Sequence, residues 1–178
     1  GPDILTTLAP FTTPDGTPRY VEQLTLPELH DTVSARDSVR VRVSQGVDGI
    51  KLHTVPITRR RPVRVMDSAI VRVVADEAHR ADRLVIAHPT NLAGVRVALD
   101  NGVDVLAHTV PIAGTIPDSL LDQMRQRGTA LVPTLTLWEE DYGPDTVGIG
   151  RFVRAGQNQA RDYAQLGGRI LFGTDVGY

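Results

Sequence analysis

The stretch LVIAHPTNLAGVRVALDNGVDVLAHTVP, from Leu84 to Pro111, contains a complete strand–helix–strand pattern. An apolar run ends at His88, an amphipathic segment follows it, and a second apolar run ends at His108. The amphipathic segment stops at Gly102, a residue typical of helix C-termini. Two short apolar runs joined through a helix indicate parallel strands, because the crossover helix returns the chain to the same end of the sheet.

The same rhythm extends over most of the chain. It predicts six strands, which are DILTT (3–7), GIKLH (49–53), RLVIAH (83–88), DVLAHT (104–109), ALVPTL (130–135) and RILFGTD (169–175). Five helical patterns separate most of these runs, at 34–45, from the N-cap Asp67, at 92–102, at 117–128 and at 150–166. Alternating strands and helices predict an α/β protein with a parallel sheet, and continuous apolar runs predict strands buried on both faces. The pattern resumes after the looser segments 12–29 and 142–150, so residues 1–178 are predicted to form one domain.

Composition excludes several classes of function. The 178 residues include no cysteine, so disulfides, thiolate zinc sites and cysteine nucleophiles are excluded. A net charge of −2 predicts neither a nucleic-acid partner nor a basic membrane patch, and no apolar run approaches the ~20 residues of a membrane span. No secretory signal is visible, and we expect a cytoplasmic protein. The glycine-rich phosphate-binding motifs and the G-x-S-x-G motif are missing, which disfavours a nucleotide-binding domain and a serine hydrolase.

Ionisable residues lie at the carboxyl ends of four predicted strands: Lys51, His88, His108 and Asp175. In parallel barrels and in doubly wound sheets alike, this is the end where active sites are built. Each residue alone has an ordinary structural interpretation, as a core histidine, a turn aspartate or a lysine that reaches to solvent. Their recurrence at one end of the sheet favours a shared site.

Lys51 is the only lysine beside eighteen arginines. An arginine cannot be deprotonated in a protein, whereas a buried lysine readily becomes neutral. A neutral amine can react with carbon dioxide to give a carbamate, whose two oxygens and negative charge suit it to bridge two divalent cations. The alternative is an arginine-rich coding bias that has left a single lysine by chance.

The chain resembles the metal-dependent amidohydrolase superfamily, in particular its imidazolonepropionase-like and prolidase-like branch. The resemblance lies in the segments GVDGIKL, DSAIVRVVADEAHRAD, LVIAHPTNLAGVRVALDNGVDVLAHTVP, GTALVPTL and ILFGTD, spread over most of residues 31–175. It implies a partial (βα)8 TIM barrel with about six parallel strands and flanking helices. It also implies a metal-dependent hydrolase that cleaves an amide, a cyclic amide or a dipeptide C–N bond in a small-molecule substrate.

The resemblance also assigns roles to individual residues. Lys51 would be the carboxylated lysine that bridges two divalent metal ions, for which zinc is the expected element. His88 and His108 would bind the second ion, while Asp175 would bind the first ion and shuttle the proton. A bound metal lowers the pKa of its water to about 7, so the attacking species would be a metal-activated hydroxide.

One departure from the family pattern is large. The family's first strand carries an H-x-H pair that supplies two ligands, and no H-x-H occurs in this sequence. We therefore expect the chain to be a fragment that lacks the first strands and the C-terminal part, and to be inactive alone. The alternative hypothesis is a non-catalytic partial barrel that self-associates, as a homo-oligomer, or needs a missing segment.

The remaining histidines and aromatic residues receive weaker predictions. His79 lies in the middle of a predicted helix, which favours a packing or surface role. His53 and His30 match no ligand position of the family, although His53 is close to Lys51 in sequence. Trp138 and Tyr142 either shape a substrate pocket or simply pack.

Overall fold

The structure, a computed structural model, describes residues 3–21, 23–58, 63–141 and 146–175. In this part of the chain the α-helices are α1 (Thr32–Ser44), α2 (Ser68–Arg80), α3 (Leu92–Asp100), α4 (Asp118–Arg127), α5 (Leu135–Asp141) and α6 (Thr146–Gln165). The strands are β1 (Gly49–His53), β2 (Leu84–His88), β3 (Val105–Ala107) and β4 (Ala130–Val132). None of the described helices combines the length and the apolar character needed to cross a bilayer.

Within the described residues, the four strands form one parallel sheet in the order β1-β2-β3-β4. A doubly wound sheet reverses its strand order at a switch point, whereas the strands of a (βα)8 barrel follow one another around the sheet. The sequential order is therefore that of a barrel segment. The predicted α/β class and the parallel sheet with flanking helices are confirmed.

The first three helices each begin at a side chain that accepts a hydrogen bond from the helix backbone. Asp31, Asp67 and Asn91 occupy these N-cap positions of α1, α2 and α3. Each such cap stabilises its helix by about 1 kcal/mol. At the other end of a helix, Gly128 follows α4 with φ of 69°, a left-handed conformation that glycine adopts without steric cost.

The main core lies between the helices and one face of the sheet. Ile50 and Leu52 in β1, and Val85 and Ala87 in β2, point to this face and are fully buried. The helices cover them with a layer of buried aliphatic side chains, which includes Val39, Val71, Val74, Val95, Leu99, Leu121 and Met124. Burial of each large aliphatic side chain contributes about 1.5–3 kcal/mol, so this layer holds the helices on the sheet.

The opposite face of the sheet is covered only in part. Leu84 is 57% exposed, and Lys51 and Ile86 are half-buried. With Val105 and Ala107 they line a cavity of about 570 Å³ on this face. The prediction of burial on both faces therefore holds for the helix side and only in part for this inner side, where Val105 and Ala107 are buried but Leu84 is exposed.

The prediction of six strands is wrong, because the first expected strand, at 3–7, does not form. The segment that pairs beside β1 lies further along the chain, where Phe11 makes an isolated parallel bridge to Leu52. Ile4 and Leu5 are 88% and 76% exposed, so their apolar side chains have no second layer against which to pack. Without that packing, the β-branched and aliphatic residues of this segment gain little from a strand conformation.

The last expected strand, at 169–175, is reduced in the same way. Its contact with the sheet is an isolated bridge between Ile170 and Leu131 of β4. Phe172 is an aromatic residue, a type that favours strands, but it is 94% exposed and so gains no burial from a strand here. The described chain thus holds a four-stranded sheet with a bridged segment along each edge.

Strand β4 is also shorter than predicted, and a helix replaces its expected end. Pro133 has no backbone N–H and cannot continue the hydrogen-bond ladder, so β4 ends at Val132. The chain then turns through Thr134, and α5 begins at Leu135. The sequence pattern at 130–135 did not reveal this helix.

We expect Leu99→Ala to lower the free energy of unfolding of this chain by about 2–5 kcal/mol, because the side chain of Leu99 is fully buried and its removal leaves a cavity. Urea denaturation followed by circular dichroism measures this loss. Leu166→Ala is the matched control, since Leu166 is 40% exposed and the same substitution should cost much less there. Equal losses in the two variants would contradict the described core.

Candidate functional site

Three histidines lie at the carboxyl ends of three neighbouring strands. His53 is the last residue of β1, His88 is the last residue of β2, and His108 directly follows β3. His53 and His88 are direct partners in the parallel register, so their side chains leave the sheet side by side. The strand ends therefore place the three imidazoles in one row, which we call the imidazole row (His53, His88 and His108).

The imidazole row is tightly packed and shielded from solvent. The ring centroids of His53 and His88 are 4.8 Å apart, and those of His88 and His108 are 4.6 Å apart. The three residues are only 3%, 6% and 3% exposed. A row of three polar rings that are almost fully buried is unusual in a core, because buried polar groups normally require hydrogen-bond partners.

Asp175 approaches one end of the imidazole row. Its Oδ2 atom lies 3.5 Å from Nε2 of His108, and its side chain is partly exposed. Asp175, His108 and Lys51 all line the cavity on the inner face of the sheet. Since His88 contacts His108 directly, the structure brings the four predicted site residues into one region.

Several imidazole nitrogens in this region have no hydrogen-bond partner. Among the described residues, Nδ1 of His53, Nε2 of His88 and Nε2 of His108 are buried and unpaired. A buried nitrogen left without a partner costs about 1–3 kcal/mol. A neutral imidazole nitrogen is also the commonest protein ligand for metal ions, so the unpaired atoms fit a cation-binding role.

The environment keeps the imidazoles neutral. Burial, with a further contribution from the charge of Lys51, lowers the pKa of both His53 and His108 to about 3. Burial also lowers the pKa of His88 well below its ordinary value, with smaller contributions from His108, His53 and Lys51. Neutral rings keep a lone pair on one nitrogen, which is the form that binds a cation.

Among the described residues, Thr134 and Tyr20 also contact the row, the first from a loop and the second from a short 3-10 helix (Arg19–Val21). Nδ1 of His108 lies 2.8 Å from Oγ1 of Thr134, and Nε2 of His53 lies 3.4 Å from the hydroxyl of Tyr20. His108, Thr134 and Asp175 all have positive φ, at 77°, 45° and 54°. Left-handed backbone at residues other than glycine stores strain and is concentrated at functional sites.

The described residues do not form a complete metal site by themselves. Within the described ranges, no group of three or more His, Cys, Asp or Glu side chains is arranged to hold a cation. The ligand set implied by the family resemblance draws on a modified lysine and on an H-x-H pair that this sequence does not contain. The donors present therefore fit part of such a centre.

Sequence reasoning did not assign His53, Thr134 or Tyr20 to the site. The signal for His53 was available, because Lys51 and His53 are two residues apart on a strand and so lie on the same face. Thr134 and Tyr20 gave no such signal, since Thr134 lies on a loop and Tyr20 in a short 3-10 helix (Arg19–Val21), and the strand pattern fixes the position of neither.

The weaker predictions for other residues have mixed outcomes. His79 is partly exposed and pairs with Asp104 at the opposite end of the strands, which agrees with a packing or surface role. His30 is largely exposed and lies 3.6 Å from Glu28, outside the site. Trp138 is buried and donates to Oγ1 of Thr109, as a packed residue does. Tyr142 lies outside the described residues.

Comparison with solved structures places this geometry in a known fold. No family model matches the sequence, and no curated protein matches it significantly. Ochratoxinase from A. niger superposes with a TM-score of 0.81 at 19% identity, over 98% of this chain and 46% of that one. A prolidase solved with N-methylphosphonate-L-proline gives 0.74 at 20% identity, over 99% and 49%. An amidohydrolase gives 0.68 at 22% identity, over 96% and 45%.

The chain has the fold of about half of each of these three solved chains. It spans somewhat less than half the length of the three solved chains, although nearly all of its own residues are matched. The expectation of a partial barrel of this type is thereby confirmed at the level of fold. The shared half is the one that carries Lys51, the imidazole row and Asp175 in this chain.

We expect the metal-free chain to lose stability as the pH falls from about 6.5 toward 3. The pKa of His53 and His108 in the folded state, about 3, lies below the value of about 6.5 in the unfolded state. Between these values the unfolded chain binds protons that the folded chain does not, so each histidine removes about 1.4 kcal/mol of unfolding free energy per pH unit.

Urea unfolding at pH 7.5, 6.0 and 5.0 measures this loss in a range where few carboxyl groups titrate. Proton NMR of the histidine ring signals provides the direct check, with the chain in urea as the control. Ring signals of His53 and His108 that titrate near pH 6.5 in the folded chain would contradict the described burial.

Proposed function

We propose that this chain is part of a metal-dependent hydrolase of the amidohydrolase type, which cleaves a C–N bond of an amide, a cyclic amide or a dipeptide. The observation that carries the proposal is that His88 and His108 lie in contact at the carboxyl ends of β2 and β3, with Asp175 3.5 Å from His108 and Lys51 of β1 lining the same cavity. Solved chains of the same fold include a prolidase and an ochratoxinase, which supports hydrolysis as the reaction class.

The donor atoms support a role for two divalent ions, with zinc as the proposed element. His88 and His108 offer unpaired, neutral Nε2 atoms for one ion, and Asp175 offers a carboxylate for the other. Lys51 is proposed to bridge the two ions as a carbamate. Imidazole and carboxylate donors suit zinc or manganese, and when bound such ions polarise a substrate carbonyl and lower the pKa of water to about 7.

Asp175 is the residue proposed to move the proton. Its side chain is partly exposed, so it can meet both water and a bound substrate. During hydrolysis a C–O bond forms from water and the C–N bond breaks, so one proton must travel from the water to the leaving nitrogen. A carboxylate beside both groups can accept this proton and then deliver it.

The cavity beside these residues favours a substrate with an apolar part. Its inner wall is formed by Ile86, Val105, Ala107 and Val132, while Lys51, His108 and Asp175 supply the polar groups. The cavity also extends to Asp48, Gly49 and Leu84 at the amino ends of β1 and β2, along the uncovered inner face of the sheet. For the end of the cavity beside His108 and Asp175, we propose a small organic amide or a short peptide derivative as the substrate class.

Exposed apolar residues beside the two edges of the sheet favour a second candidate function. Ile4, Leu5 and Phe172 are 88%, 76% and 94% exposed and flank the two outer strands. Unpaired strand edges with apolar side chains tend to associate with another chain. The alternative proposal is that this partial barrel self-associates, or pairs with a complementary segment, and has no catalytic function alone.

In the complete enzyme, which supplies the ligands that this chain lacks, the amidohydrolase proposal predicts that Lys51→Arg abolishes binding of the bridged metal pair, because a guanidinium cannot form the carbamate. Metal content after dialysis, and a carbamate carbon signal after incubation with ¹³C-bicarbonate, measure the effect. Arg72→Lys is the control, since it adds an amine at an exposed position on α2. Near-normal metal content and turnover in Lys51→Arg would refute the bridging role.

The alternative proposal predicts concentration-dependent association. Sedimentation velocity should show oligomers of this chain that become weaker in Phe172→Glu, because the substitution places a charge on the exposed edge. Leu24→Glu serves as the matched control, since Leu24 is 54% exposed but lies in the loop at 12–29. A monomer at every concentration would exclude self-association.

A further inference from the structure

The contact between Thr134 and His108 has a chemical consequence beyond the proposed ligand set. Oγ1 of Thr134 lies 2.8 Å from Nδ1 of His108, and both residues are only 3% exposed. A histidine's two ring nitrogens are not equivalent, because the hydrogen bond made by one nitrogen decides whether the other carries a proton or a lone pair. Thr134 can therefore control what Nε2 of His108 presents to the site.

The backbone around the two residues holds this contact in place. The N–H of His108 donates to the carbonyl of Val132 at 2.8 Å, so the exit of β3 runs beside the exit of β4. Thr134 then adopts φ of 45°, which is a true outlier for a β-branched residue. Strain of about 1–3 kcal/mol persists only where the surrounding structure requires it, and here it directs the hydroxyl to His108.

The two nitrogens of the His108 ring differ in their contacts. Nε2 lies 3.5 Å from Oδ2 of Asp175, which is longer than the roughly 2.7–2.9 Å of a charge-assisted N–H···O bond. Nδ1 lies 2.8 Å from Oγ1 of Thr134, a hydroxyl that can accept a proton from Nδ1 or donate one to it. Of these two contacts, the one at hydrogen-bond distance is that with Thr134.

We propose that Thr134 is a positioning residue that fixes the Nδ1–H tautomer of His108 and so directs the lone pair of Nε2 toward Asp175. The inference rests on the proposed function in one respect, which is that the lone pair on Nε2 binds a cation. The tautomer itself is a property of the chain without metal. Partners on the far side of a ligating histidine typically change metal affinity by about 10–100-fold.

The first measurement is the tautomer of His108 in the metal-free protein. Long-range ¹H–¹⁵N correlation spectra at pH 7.5 distinguish a protonated ring nitrogen from one with a lone pair, and His108→Gln identifies the signals of His108. The expected result is a protonated Nδ1 and a lone pair on Nε2. A protonated Nε2 in the unsubstituted protein would overturn the proposal, and this reading needs no variant that must fold.

Substitutions at Thr134 provide the second measurement. Thr134→Val keeps the shape of the side chain and removes the hydroxyl, so the Nε2–H tautomer should appear and zinc affinity should fall about 10–100-fold. Thr134→Ser keeps the hydroxyl and should retain both properties. An unchanged tautomer in Thr134→Val would overturn the proposal.

Thr129→Val is the matched control. It removes a buried hydroxyl from the other end of the same strand, where the contact is with the carbonyl of Val103 and not with His108. The tautomer of His108 should not change in this variant, and a change equal to that in Thr134→Val would overturn the specific role of Thr134.

The two proposals can fail separately. If Lys51→Arg keeps its metal while His108 shows Nδ1–H, the hydrolase proposal fails and the tautomer inference stands.

Discussion

The in-register hydrogen bonding of the parallel strands is the constraint on which the site depends. Pairing of His53 with His88 fixes the relative height of β1 and β2, and the same ladder continues through β3 to β4. A shift of one residue in any strand would turn its side chains to the opposite face. The helix-side core prevents such a shift, because Leu52 and Ala87 would then leave the aliphatic layer.

This constraint concentrates groups that are individually unfavourable in a protein interior. Three neutral imidazoles contact one another with little water, and each leaves one nitrogen unpaired among the described residues. Left-handed backbone at His108, Thr134 and Asp175 adds strain at the same place. Such a cluster is less stable than an apolar one of the same volume, because its polar groups and its backbone strain are not offset by hydrogen bonds.

The sequence predicted the parts of the structure that depend on local patterns. Apolar runs ending in histidine located β2 and β3, and Asp67 marked the start of α2. The parallel topology brings strand ends to one edge of the sheet, so the sequence alone predicts that Lys51, His88, His108 and Asp175 lie in one region. Their proposed roles in metal binding still rest on the family resemblance and on the chemistry of the donor atoms.

The parts that failed depend on contacts distant in sequence. Residues 3–7 and 169–175 have strand-like composition, but no second layer covers Ile4 or Phe172. Composition alone therefore predicted two strands that do not form. Thr134 reaches the imidazole row from a loop and Tyr20 from a short 3-10 helix, and the positions of both segments depend on the fold around them. Their contributions become visible only when distances between side chains are known.

The incompletely covered inner face has a thermodynamic consequence for the whole molecule. Leu84 and the walls of the 570 Å³ cavity expose apolar surface that any complementary partner would remove from water. A species that binds only the folded chain raises the measured melting temperature by mass action. The melting temperature of this chain would therefore depend on the concentration of such a partner, and it would rise as that concentration rises.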